Sequence, residues 1–342
     1  MPRNRWISYR TFPTRRVFSP SERKLVSLKL RSLYITLRDR GIGALVSASI
    51  GVLRGAFSRN VMGQRYIKRN VYDYVMWLDL KDRGISRSLL LFGNRELDHK
   101  IILENALHPG MSVLDIGANI GYYALMMLRL IGPHGTLIAV EPSPTNVRLL
   151  KRNLLLNGHS NIEVHQKAVS ETDGIRDFFL SEMSNLNTFH DTGTGSVHLS
   201  GTTIKVETET VQQIAAGRKI DLIRMDVEGH EIEVINGLIP AIESEEMTPM
   251  IIFETHLSRY DVDHDMETPL RRLFSLSYHL AVAGSSSERG TKIIESLGYR
   301  GNERAHSDGV VRTIFTDIAD DDAIELICNR GGVRTAMLAP KS

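Results

Sequence analysis

The sequence predicts an α/β protein whose mostly parallel sheet is covered by helices on both faces, and three observations predict it. Short apolar runs at residues 112–115, 136–141, 162–165, 221–226 and 250–253 alternate with polar and helical stretches. The links are short and marked by breakers, as at Pro109-Gly110 and Gly132-Pro133-His134-Gly135. Three of the runs end in an acid, Asp115, Glu141 and Asp226. Strands that alternate with helices over short links are laid parallel, with the crossover helices on the two faces.

The elements follow in order. Residues 24–38 place Leu25, Leu28, Leu30, Leu33 and Leu37 near helical spacing within a basic stretch. Residues 72–107 read as mixed helix and loop, with Gly93-Asn94-Arg95-Glu96 before an apolar-periodic helix. Then come a strand at 112–115, a helix at 120–130, a strand at 136–141, a helix at 144–157 ending near Gly158, and a strand at 162–165. Residues 182–205 are dominated by Ser, Thr, Asn, Gly and His, which suits an exposed loop or irregular hairpin on the substrate side of the sheet. Strands at 221–226, 250–253, 310–315 and 334–338 complete the pattern. The acidic runs Asp261-Val262-Asp263-His264-Asp265 and 320–322 lack a calcium-loop pattern and read as solvated surface.

Of 342 residues, 42% are apolar and 24% charged, ordinary for a globular protein. The formal net charge of +2 hides an asymmetry: residues 1–70 hold 16 Lys/Arg against two acids, and the remainder 26 against 38. Such a leader suits an anionic membrane surface or a nucleic acid, or a solvated arm. The chain divides into a basic extension at 1–70, helical or partly disordered, a helical lead-in at 71–110, and the α/β domain at 111–342. The single cysteine, Cys328, excludes an intrachain disulfide and a cysteine-based metal cluster. Residues 41–53 carry no charge but are too few to span a bilayer. No secretory signal order is apparent, so a cytoplasmic location is expected, with peripheral membrane contact through the basic N-terminus.

The stretch Val113-Leu114-Asp115-Ile116-Gly117-Ala118-Asn119-Ile120-Gly121 turns a strand sharply into a helix. Glycines suit a turn whose backbone must approach a ligand. Asp115 can accept hydrogen bonds at the strand end, and Glu141, followed by the turning residue Pro142, can take both hydroxyls of a ribose. A dinucleotide fingerprint needs G-x-G-x-x-G, but Asn119 stands at the middle glycine's position, so S-adenosylmethionine is the expected cofactor. The expected cofactor-binding set is Asp115, Gly117, Asn119, Gly121, Glu141, Pro142 and Ala168, the last flanking the adenine region with His165 and Lys167.

Residues 221–231 form the second constellation. Asp226 should lie beside Asp115 at the carboxyl edge of the sheet, and Arg224, two residues earlier, should pair with a carboxylate of the cluster. The next strand brings Glu254 and His256 to the same edge. Asp226, Glu228 and His256 are the expected catalytic residues, surrounding an acceptor hydroxyl whose proton His256 or an acid takes. Glu228 and Glu231 could instead cap the following helix. No complete metal-ligand spacing is present, so no metal is expected.

Residues 113–123, Glu141-Pro142, Asn153 with Asn157, Ala168-Val169, 221–231 and 253–256 together resemble the FkbM family of S-adenosylmethionine-dependent methyltransferases, over about residues 90–258. The resemblance implies a class I methyltransferase three-layer sandwich, with a seven-stranded, mostly parallel sheet and one antiparallel edge strand. It implies an O-methyltransferase acting on a sugar, glycolipid or secondary-metabolite hydroxyl. The family usually has lysine where this chain has Arg224, a change that keeps charge but not fork geometry. The alternatives are a nucleic-acid or protein methyltransferase or a non-catalytic cofactor-binding protein. Asp226-Val227-Glu228-Gly229 lacks the aromatic platform of base methylation, so nucleic acid is not expected as acceptor.

Overall fold

The computed structural model describes residues 42–43, 45–190, 199–307 and 309–341; the basic helix expected at 24–38 lies outside them. The described chain begins with α1, residues 45–60. A hairpin of β1 (Tyr66–Val71) and β2 (Tyr74–Asp79) and the helices α2 (Ile85–Phe92) and α3 (Leu97–Ala106) follow. The segment expected as a helical lead-in therefore includes a strand, because alternation in Tyr74-Val75-Met76-Trp77-Leu78 puts every second residue inside.

The main sheet starts with β3 (Ser112–Ile116), α4 (Tyr122–Ile131), β4 (Thr136–Val140), α5 (Pro144–Leu156) and β5 (Glu163–His165). A small sheet follows, made of β6 (Ala168–Val169), β7 (Gly174–Ser181) and β8 (Leu199–Glu209). The main sheet resumes with α6 (Val211–Ala215), β9 (Leu222–Met225), α7 (Glu231–Glu243), β10 (Met250–Glu254) and α8 (Glu267–Ser275). It ends with β11 (Tyr278–Ser285), α9 (Glu288–Glu295), β12 (Glu303–Ser307), β13 (Val310–Thr316), α10 (Asp320–Ile324) and β14 (Val333–Pro340). Of the two forms expected for the polar stretch at 182–205, loop or irregular hairpin, the hairpin is present from residue 199, where β8 pairs with β7 through a register shift.

Nine strands lie in the order β12-β13-β11-β14-β10-β9-β3-β4-β5. From β10 to β5 all neighbours are parallel, whereas β14 runs antiparallel to both β10 and β11. The expectation of seven strands with the antiparallel one at the edge is corrected on both counts. β14 is interior because the last segment of the chain inserts between β10 and β11, and the β12–β13 hairpin extends the sheet beyond β11. The fold is a Rossmann-like α/β architecture with a parallel core and an antiparallel flank.

Side-chain alternation along β3 divides the core. Leu114 and Ile116 enter the apolar layer beneath α7, and Val113 the layer beneath α4 and α5. β3 is the strand from which the chain steps outward to β4 and β5 and then crosses back to β9, so the crevice for a ligand opens at its carboxyl end. Ser143 caps α5 with its side chain and Pro144 opens the helix, which fixes the turn after Glu141.

Asn153 and Asn157 on α5 hold the hairpin against this layer. Asn153 Oδ1 accepts from the Trp77 amide at 2.7 Å and Asn157 Oδ1 from the Val75 amide at 3.0 Å, while their amide nitrogens donate to the same residues' carbonyls. Two side chains thereby satisfy a strand edge that no other strand covers.

α1 packs against α2 through small residues. Gly51, Gly55 and Ser58 are buried, and a Cβ on Gly51 would collide with the Leu90 carbonyl. Its outward face, with Ile42 just before it, carries Val46, Ile50, Leu53 and Phe57, all five exposed, with Leu53 at 70%. Among the described residues no helix is long and apolar enough to cross a membrane.

Candidate active site

At the switch point the backbone turns through Gly117 (φ 77°), Asn119 (φ 50°) and Gly121 (φ 92°). A Cβ on Gly117 would collide with the Asp226 carbonyl oxygen and one on Gly121 would press on Leu150 at 2.8 Å. The glycines are thus required by positive φ and by close packing of protein on protein. Gly117 also borders the cavity at the end of β3.

Glu141 is almost fully buried and is held from three sides. Its Oε2 accepts from the Asn119 amide at 2.9 Å, and its Oε1 from the Ser143 amide at 2.9 Å and Asn146 Nδ2 at 3.2 Å. Burial outweighs these donors and pushes the carboxyl up to about 7. Glu141 borders a cavity, together with Gly117, Asn119, Pro142, Lys167 and Ala168. Asp115 and Gly121 do not line it. Gly121 precedes α4 as its cap residue, and Asp115 lies behind the turn.

Asp115 has no exposed surface and pairs with Arg224 Nη1 at 3.3 Å, while Arg224 Nη2 reaches Asp226 at 3.1 Å. The two prongs of one guanidinium thus join the ends of β3 and β9, the pairing expected from sequence. The guanidinium also lies 4.1 Å over the Tyr123 ring. Asp115 Oδ2 has no hydrogen-bond partner among the described residues. At the cavity itself Glu141 offers an acceptor pair of the kind a ribose diol needs, beside Gly117, Asn119, Pro142 and Ala168, so the residues present fit the nucleoside part of S-adenosylmethionine.

The cavity roof was missed in the sequence. Ser184, Asn185, Asn187 and Phe189 cover it from the polar stretch expected on the substrate side. Asn119 Nδ2 and Asn146 Nδ2 donate to the Ser184 carbonyl at 3.0 and 3.3 Å, and Asp82 accepts from the Ser184 amide at 3.0 Å. Only a run of short polar side chains signalled this segment.

Beyond Asp226 the turn carries Glu228 at φ 52°, then Glu231 opens α7. Ligand atoms of Asp226, Glu228 and His256 lie within 4.8 Å of one another, so the three expected catalytic side chains do meet. His256 Nε2 is 3.5 Å from Glu228 and its Nδ1 is 3.2 Å from Glu231. Glu231 also accepts from the Val227 amide at 3.0 Å and the Gly229 amide at 3.1 Å, so it ties down the turn before α7, whose N-terminus has no side-chain cap. It binds the turn and the imidazole at once.

Burial alone would lower the His256 pKa, but Glu231 and Glu228 raise it to about 10. Burial, then Asp226, pushes Glu228 up to about 8. Glu254 is driven to about 7 by burial, although Arg334 stands 3.0 Å away. Arg334 also reaches Glu96 at 2.9 Å, and Glu96 accepts from the Tyr123 hydroxyl. Glu96 and Arg334 thus anchor the acid cluster from 158 and 80 residues away in sequence from Glu254, a distance over which no spacing signal exists.

A glycine turn at the switch point, an acid ending each neighbouring strand and an antiparallel strand beyond the parallel core mark the carboxyl edge of the sheet as the candidate site. The chain belongs to the FkbM family: the family described as Methyltransferase FkbM domain matches residues 115–300, more than half of its length. The matched region is that family's methyltransferase domain. It is similar to a protein-L-isoaspartate O-methyltransferase of Caenorhabditis elegans, 26% identical over 141 residues, which cover 40% of this chain and 58% of that protein. It is similar also to Methyltransferase 1 of Beauveria bassiana, 25% identical over 144 residues, covering 37% and 57%. The chain therefore spans little more than half the length of these relatives. Among solved structures, Methyltransferase FkbM from Methylobacillus flagellatus KT aligns with TM-score 0.33 at 16% identity, over 68% of this chain and 52% of that one. TYW2 of M. jannaschii in complex with AdoMet aligns with TM-score 0.35 at 13% identity, over 81% and 88%.

Proposed function

We propose that the chain is an O-methyltransferase whose acceptor is a hydroxyl of a sugar, glycolipid or secondary metabolite. The observation that carries this reading is the meeting of Asp226, Glu228 and His256 beside the cofactor cavity. Bound S-adenosylmethionine supplies an electrophilic methyl group. A neutral alcohol is a poor nucleophile until its proton has somewhere to go. His256 is held by Glu231 through Nδ1 and presents Nε2 beside Glu228, so it accepts the acceptor's proton while the carboxylates stabilise the imidazolium. The first curated relative is named for carboxyl methylation of protein. An acceptor carboxylate, like a nucleic-acid phosphate, would add one more anion to a cluster whose burial and crowding already make Glu228 and Glu254 hold their protons, and a hydroxyl does not.

Asp115, Gly117, Asn119, Gly121, Glu141, Pro142 and Ala168 form the proposed cofactor site, with Asp115 and Gly121 acting from behind the cavity wall. Glu141→Ala should weaken S-adenosylmethionine binding by at least about tenfold, since hydrogen bonds to a buried charge carry most of the ribose contact. Calorimetry that finds the affinity unchanged would remove Glu141 from the site. Acceptor class is tested by labelled-methyl transfer to glycan, lipid-linked, protein and nucleic-acid pools. Label in protein or nucleic acid alone would replace the hydroxyl reading.

We propose as well that the outward face of α1 rests on an anionic bilayer. Its five exposed apolar residues are flanked by Arg54 and Arg59, and residues 1–40 add 11 Lys/Arg against two acids. Apolar insertion and charge attraction act together at such a surface. The full chain should co-sediment with vesicles containing phosphatidylserine, and Leu53→Asp with Phe57→Asp should release it. Vesicle binding that survives the double variant, or a concentration-dependent dimer with no vesicle binding, would overturn this.

A further inference from the structure

Outside the methyl-transfer cluster, His190, Glu233 and His264 come together from three separate segments. His190 ends the cavity-roof stretch, Glu233 lies in the first turn of α7, and His264 belongs to the connection between β10 and α8. One ligand atom from each falls within 4.8 Å of the others, and all three side chains are half-buried. The two imidazole centroids are 4.6 Å apart.

The hydrogen bonds around the rings determine where their lone pairs face. His264 Nδ1 is 2.7 Å from the Arg259 carbonyl oxygen. A carbonyl can only accept, so Nδ1 carries the hydrogen, and in the neutral ring Nε2 keeps its lone pair. That lone pair faces Glu233, at 3.3 Å from Oε1. His190 Nε2 is 3.1 Å from the Gly229 carbonyl oxygen, which leaves its Nδ1 as the acceptor nitrogen. The Nε2 lone pair of a neutral His264 thus faces the Glu233 carboxylate, whose Oε2 is 3.4 Å away, with His190 alongside, an arrangement that repels unless a proton or a metal cation sits between them. Outer ring nitrogens tied to backbone carbonyls are what orient histidines as metal ligands. His230 stands behind Glu233, with Nδ1 3.2 Å from Oε2 but outside hydrogen-bond geometry, and Nε2 on the Ser170 hydroxyl at 3.1 Å.

We propose that His190, Glu233 and His264 bind one divalent transition-metal ion, zinc by the character of two imidazoles and one carboxylate. The fourth position faces solvent. The ion would clamp the roof stretch and the residues before α8 onto the turn that carries Glu228, since the Gly229 carbonyl and the Thr188 hydroxyl on the Glu228 carbonyl (3.1 Å) already join these parts. The run at 261–265, expected above to be solvated surface, thereby contributes a ligand. The site stands independently of the acceptor's identity.

The test uses the full chain, stripped with a chelator and desalted. Zinc titrated against a chromophoric competitor should bind at one equivalent per chain, and zinc should raise the thermal midpoint by mass action on the folded state. His264→Gln and His190→Asn should each weaken binding by about 10- to 100-fold and abolish the thermal shift, with circular dichroism unchanged. His256→Asn, which disrupts the other cluster of metal-competent side chains, should leave the stoichiometry at one. Absence of zinc binding, which would mean that an imidazolium–carboxylate pair fills this place, overturns the proposal. Binding that survives both histidine variants and disappears in His256→Asn overturns it equally and assigns the ion to the methyl-transfer cluster.

Discussion

His256→Asn should lower turnover by about two to four orders of magnitude, the range for loss of a general base. Cofactor affinity should stay close to wild type, because His256 does not border the cavity that Glu141 lines. The pH profile tests the same assignment separately. With its pKa raised to about 10, His256 is protonated at neutral pH, and the base form grows as pH rises. The wild-type kcat/KM should therefore climb through the neutral range and level off near pH 10. Glu231→Gln removes the carboxylate that faces Nδ1, so the limb should move to lower pH as the imidazole loses its proton more readily. A limb that does not move in this variant would show that another group takes the acceptor's proton. An equal fall in turnover and cofactor affinity in His256→Asn would place the residue with the cofactor instead.

The second large effect falls on stability. Arg224→Met should cost about 3–5 kcal/mol, the penalty for leaving a buried charge without its partner. Asp115 is fully buried, and both of its nearest charge relations run through Arg224 to the ends of β3 and β9. Urea denaturation measures the loss. Adding Asp115→Asn to Arg224→Met should recover part of it, since the orphaned charge is then removed. Arg224→Lys should lie between wild type and Arg224→Met, because one ammonium cannot supply two prongs to Asp115 and Asp226 together. If Arg224→Met unfolds at the wild-type midpoint, the ion pair is not what holds these strand ends.

How far the sequence reveals this depends on which interactions are local. β3, β4 and β9 are visible because each is a short apolar run ending in an acid, and the turn at 117–121 because glycine is needed at positive φ. The Arg224 ion pair is legible because a charge at a core position of a central strand requires a partner. The interior place of β14 is not legible, since nothing local distinguishes a strand covered on two edges from one covered on one. Glu96 and Arg334 escape for the same reason, as they reach the acid cluster from opposite ends of the domain. The family motif flagged Asn153 and Asn157 without their reason. They act as a side-chain substitute for a neighbouring strand.

Ser184 also has a consequence for the timing of the catalytic cycle. Its carbonyl, amide and hydroxyl are engaged by Asn119, Asn146 and Asp82, so the roof is fastened at once to the glycine turn, to α5 and to the loop before α2. Any molecule lodged beneath it leaves only after several of these bonds open together, each worth about 0.5–1.5 kcal/mol net. The spent cofactor would then depart more slowly than the methyl group moves. Turnover measured at saturation would report the opening of a lid, and the first cycle after mixing would run faster than those that follow.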